Sequence, residues 1–351
     1  MRIVVLAPLL FAGCIVKIVD GSTTRTMAPA TMATTDIGAS CSTGMALGPV
    51  LSALGEVGRR PYKAMTFTSL AAGMCGDVAA WGAELDRLRA VQGTDASGSR
   101  DHLIRERRIH AATATRYYDA WLMLDLAFPN EDLGEDCPRL SVRKNEDLLL
   151  LLGLTSGALA MVHDRAAEGI VGVPTDLPRK VERAAACLDD DKFWGVPRAL
   201  QASVWAAVPG AAPPGVDPWE VLAEAAATGE SASVRLGRAL QVQALSTAGH
   251  RDAVRDAIRS HATSVDATPS DPAWALLDRF ATELILHESD KIWMSAVGHR
   301  TPLGGLGTFP DDPAADSELD PMLDGILEAV MGSDITQAPV APAAEPSEVN
   351  P

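Results

Sequence analysis

Asn145–Asp164 reads NEDLLLLLGLTSGALAMVHD, and the place of this stretch decides the fold. No charged residue lies between Asp147 and Asp164, and leucines occupy every side of the first turns. A helix that is apolar all round is either a membrane span or the centre of a helical core. A span needs roughly 20 apolar residues; this run is shorter and carries Gly153, Ser156 and Gly157 inside it. It reads as a buried central helix. Its small residues Gly153, Gly157 and Ala160 let another helix approach closely or leave a hollow. With His163 they form the candidate cleft.

The sequence on either side is helical in pattern. Thr68–Gln92 sets Leu70, Met74, Val78, Trp81, Leu85 and Leu88 at three-to-four spacing, the mark of one buried face. Asp101 is expected to cap a long helix ending near Phe128, after a polar break at GTDASGS. Further helices are expected over Trp219–Thr228, Ser231–Thr247, Arg251–Ser264 and Asp271–Val297, with Pro218 and Pro272 at helix starts. Aromatic residues make up only 5% of the chain, and alternating runs of Val, Ile and Thr are missing. The expected class is all-α: antiparallel helix hairpins stacked as a tetratricopeptide-like array or as an irregular bundle. The helical domain is expected over residues 45–300, followed by an irregular, then disordered, acidic and Pro-rich tail over 301–351.

Residues 1–13 carry Arg2, an apolar run from Ile3 to Ala12, and small residues before Cys14. That is the pattern of a secretory signal, and Ala12-Gly13-Cys14 resembles the lipobox of bacterial lipoproteins, which implies acylation of Cys14. Residues 14–44 are then expected to be a flexible tether, since Ser22–Ser42 is rich in Thr, Ala, Ser and Gly. Cys41, Cys75, Cys137 and Cys187 remain, enough for two disulfides in three possible connectivities. Cys41–Cys75 is the most local pairing. Cys75 and Cys187 also lie in apolar helical sequence, where a free buried thiol fits.

The net charge is −16, which disfavours nucleic acid as a partner, because phosphate contact needs clustered cations. The sequence has no HExxH, GxSxG or Walker motif. Glu283, His287 and Asp290 have a spacing metal ligands can use, but a polar helix face gives the same letters, and no metal or cofactor is assigned. His163–Asp164 ends the apolar helix, where histidine offsets the helix dipole. No catalytic residue is assigned.

With the lipobox at 12–14, the segments NEDLLLLLGLTSGALAMV (145–162) and RDAVRDAIRSHATSVDATPSDPAWALLDRFATELILHESDKIW (251–293) resemble the T component of TRAP-type solute transporters, the tetratricopeptide-repeat-associated periplasmic lipoproteins. The resemblance implies a periplasmic scaffold that forms homo-oligomers and docks a solute-binding protein. The expected function is a lipid-anchored helical scaffold of the bacterial cell envelope. It would face the periplasm and bind a partner protein or a small apolar ligand. The outer membrane is favoured, since Ile15 and not Asp follows Cys14. The alternatives are an exported all-α enzyme using His163, Asp164 or His287, and a purely structural envelope lipoprotein.

Overall fold

A computed structural model describes residues 16–57 and 59–313. Among them the chain is all-α, with no strand. Residues 16–32 form α1, which includes a π-helical stretch at Thr23–Met27. The helices that follow are α2 (Ile37–Val57), α3 (Tyr62–Gln92), α4 (Ala96–Ala127), α5 (Glu146–Ala166) and α6 (Leu177–Ala185). The second half holds α7 (Val196–Ala207), α8 (Pro218–Ser231), α9 (Leu236–Ala248), α10 (Arg251–Ala267) and α11 (Ala275–Val297). Neighbours in sequence pack as hairpins, and α11 returns to pack on α3 as well as on α9 and α10. The last of the described helices thus closes the bundle onto the first long hairpin.

Helix α5 is the centre, as its composition dictates. Leu148–Leu152, Leu154 and Ala160 are all buried. The long hairpin of α3 and α4 is held close by two glycines. A Cβ on Gly73 would lie 2.4 Å from the Tyr117 ring, and one on Gly76 would lie 2.1 Å from Thr113 Oγ1. Helix α4 begins at Ala96 and not after Asp101, because Asp95 accepts a bond from the Gly98 N–H at 2.9 Å and draws the polar break into the helix.

Three expectations need correction. Residues 16–44 are not a tether: they are helical, and Met32, Ile37 and Cys41 are buried in the main core. Thr24 returns its hydroxyl to the Asp20 carbonyl at 3.0 Å, and the Asp20 carboxylate accepts from Ala64 N at 3.1 Å, so polar groups are satisfied while methyls pack. The body also runs beyond residue 300. Phe309 is buried, with the guanidiniums of Arg255 and Arg259 each 4.9 Å from its ring centroid, and the Trp293 indole donates to Thr308 O at 3.0 Å. Finally, Cys75 and Cys187 are not free thiols. Disulfides join Cys41 to Cys75 and Cys137 to Cys187. The packed unit ends at Pro310. The signal segment 1–13, Cys14 and residues 314–351 lie outside the described residues.

The most heavily bonded buried charge is Arg235, at the start of α9. It is fully buried and pairs with Asp278 of α11 at 2.8 Å. Its remaining donors reach Ser264 Oγ, the Ser264 carbonyl and Thr268, all within 3.0 Å. Asp278 also accepts from the Arg235 backbone N–H at 2.7 Å and the Ser270 hydroxyl at 2.5 Å. One ion pair thereby fastens the α8–α9 corner to the end of α10 and the start of α11.

Candidate functional site

The expected cleft on α5 is filled. A Cβ on Gly153 would meet Leu124 at 2.6 Å, and one on Gly157 would meet Trp121 at 3.0 Å and Val181 at 3.1 Å. The small residues admit α4 and α6 and leave no hollow, and Ala160 is fully buried. His163 is buried for a different reason: it is the middle of a chain of polar groups. Its Nε2 lies 2.7 Å from Asp77 Oδ1, and its Nδ1 lies 2.8 Å from His110 Nδ1. The Tyr117 hydroxyl donates to the other oxygen of Asp77. Burial, and then the Asp77 charge, push the Tyr117 pKa well above its usual value, so it stays a donor. The groups thus run in series from the core to half-buried His110. Asp164 does something else. Its two oxygens accept from Val171 N and Val173 N at 2.9 Å each, bracing the loop after α5.

A second polar cluster lies between α3 and α11. His287 Nε2 is 2.9 Å from Glu84, and Lys291 reaches Glu288 at 3.0 Å and Glu84 at 3.6 Å. Burial would raise the Glu84 pKa, but the His287 hydrogen bond and the Lys291 and Arg87 charges outweigh it and hold the carboxyl down to about 2. The His287 ring stacks on Trp81 with centroids 5.6 Å apart. Glu283, His287 and Asp290 do not converge on a point. Glu283 pairs with Arg279, His287 with Glu84, and Asp290 with Arg300. No group of three potential ligands gathers among the described residues.

Beside this cluster is a groove of about 1140 Å³ along α11, from Ala275 to Asp290, with α3 opposite and the start of α2 at one end. Val78, Trp81, Leu85 and Leu286 line it, together with the Cys41–Cys75 disulfide. Val78 belongs here and not in the core, for it is 50% exposed, while Asp77, one position earlier, takes the buried place. The pairs Arg279–Glu283 and Arg300–Asp290 flank the groove and neutralise one another.

Two histidines make stability fall in acid. Burial, followed by the His163 charge, lowers His110 to about 4, and burial does the same to His261, whose Nε2 sits 3.1 Å from Thr282. In the unfolded chain both rings bind a proton near pH 6.5. Between about 6.5 and 4 the unfolded state therefore holds more protons, and acidification favours it. Stability is expected to be steady above that window and to fall through it. His261 alone would contribute a loss on the order of 3 kcal/mol. Asp20 and Glu106, raised by burial against their cationic neighbours, act in the opposite sense at pH values above their unfolded-chain values of 3.8 and 4.5. Urea midpoints from pH 7 to 4.5 measure the slope, which His261→Asn should flatten. A midpoint constant over that range would contradict the assignment.

These features define a class: an all-α, disulfide-braced bundle with a pre-paired, charge-flanked groove. No protein-family model, curated protein or solved structure matches the chain.

Proposed function

We propose that the protein is an exported, lipid-anchored binding module whose groove between α3 and α11 receives a segment of a partner protein. The observation that carries this reading is the groove itself. It follows about four turns of α11, close to 22 Å at the rise of an α-helix. Its apolar lining and charged flanks suit an amphipathic segment laid in a groove, and the charges along α11 are already paired, so few side chains must be ordered on binding. The flanking charges favour a polypeptide over a small apolar ligand. Two disulfides fit an oxidising compartment, in keeping with the signal-like residues 1–13 and acylation of Cys14.

A photo-crosslinking residue at Val78, inside the groove, is expected to capture a discrete partner in native cells. The same residue at Ile170, 75% exposed on a distant loop, should not. Equal capture at both positions, or none at Val78, would remove the groove reading. The narrower reading, an accessory of a TRAP-type transporter that docks a solute-binding protein as a homo-oligomer, rests on the sequence resemblance. It requires that the captured partner be a solute-binding protein.

The Asp77–His163–His110 series favours a second reading, an enzyme, because groups bonded in series can pass a proton. A hydrolase and lyase substrate panel, run with His163→Gln as the matched control, tests it. Activity lost in the variant would support it, and identical profiles would dismiss it.

A further inference from the structure

Helices α2 and α5 are similar in length and apolarity, yet their surroundings differ. Of Ile37–Glu56 only 22% is buried, against 78% of Glu146–Ala166. No charged residue occurs between Asp36 and Glu56. One stripe of α2, formed by Ile37, Cys41, Gly44 and Leu51, is buried, and Gly44 sits tight against the backbone of α3. The other side carries Ala39, Thr43, Ala46, Val50 and Ala53 in water, with Met45 46% and Val50 53% exposed. A wide uncharged helix face of this kind marks an interaction surface.

Charge indicates what covers it. Residues 16–63 hold five basic and three acidic side chains, a net of +2, whereas residues 64–310 hold 24 basic and 33 acidic ones, a net of −9. The cations Lys17, Arg25, Arg59 and Arg60 are exposed, two before α2 and two just after it, with Arg60 also paired to Glu56 at 3.0 Å. An apolar face bracketed by Lys and Arg is the composition of helices that lie in the membrane interface. The acidic remainder would be repelled from an anionic surface, which favours one orientation. A second copy of the chain fits less well, because like-charged cations and two acidic bodies would be brought together.

We propose that the outer face of α2 seats the folded domain on an anionic lipid surface, independently of any acyl chain on Cys14 and of the groove. The test uses the full chain carrying Cys14→Ser, sedimented with vesicles of phosphatidylcholine alone or with added phosphatidylglycerol. Binding is expected to rise with phosphatidylglycerol, to weaken with salt, and to drop at least about tenfold in Met45→Glu/Val50→Glu. Both sites are exposed, so the melting temperature should hold; Ala53→Glu provides a second variant should it not. A Val78→Asp change in the groove should leave sedimentation unaltered. Failure to bind either vesicle would overturn the proposal, as would equal binding by the face variants. Self-association through this face without vesicle binding would assign it to a second copy instead.

Discussion

Arg235→Ala is expected to destabilise the protein by about 3–5 kcal/mol, the cost of breaking a buried ion pair from one side. The loss has two parts. Asp278, itself buried, loses its cationic partner. The Ser264 and Thr268 carbonyls lose donors at the end of α10, where helix-terminal carbonyls have no partner within the helix. The pair need not be a large net gain over apolar packing, since desolvation offsets much of its attraction. Arg235→Met combined with Asp278→Leu should therefore recover a substantial part of what the single change removes. Guanidinium unfolding of the three variants measures both differences. A single variant within about 1 kcal/mol of the parent would mean that water or another cation reaches Asp278.

How far this fold is legible in the sequence depends on the range of the interactions. The helices were legible because their signal is local: spacing of three and four along α3, α5 and α11, and Pro after Asp at the start of α8. The N-terminal region was misread because Thr-, Ala- and Ser-rich sequence has the composition of a linker, while its burial depends on Cys41 being tied to Cys75 and on Met32 reaching the core. Phe309 was missed for a similar reason. Its partners Arg255 and Arg259 lie about fifty residues earlier, and a Gly- and Pro-rich segment shows no period.

The polar series contains one sign that could have been read. Leu70, Met74 and Trp81 define an apolar stripe, and Asp77 falls on it as well as Val78 does. A carboxylate on an apolar stripe requires a buried partner. The partners, Tyr117 and His163, come from two other helices, and no spacing rule joins them to Asp77. The cleft on α5 failed on different grounds. Small residues at helical spacing have one sequence pattern and two structural outcomes, close approach or a hollow. Only the neighbours decide, and here Leu124, Trp121 and Val181 fill the space.

Loss of either disulfide is expected to cost about 4 kcal/mol on the chain-entropy relation, which depends on the length of loop closed. The sequence separations are 34 for Cys41–Cys75 and 50 for Cys137–Cys187, and the logarithm makes the two costs nearly equal. Their consequences should nevertheless differ in place. Cys41–Cys75 fastens α2 to α3 at the end of the groove. Cys137–Cys187 fastens the segment between α4 and α5 to the chain just after α6. Cys41→Ser/Cys75→Ser should thus speed amide exchange in α2, whose single buried stripe packs mainly on α3, and should leave α8 and α9 protected. Cys137→Ser/Cys187→Ser should speed exchange around residues 128–141 and leave α2 as it was. Urea unfolding gives the size of each loss, and hydrogen exchange gives its location. Uniform acceleration across all helices in both variants would mean that the bundle opens only as a whole. The disulfides would then act on the unfolded chain alone and would not hold α2 or the groove in place.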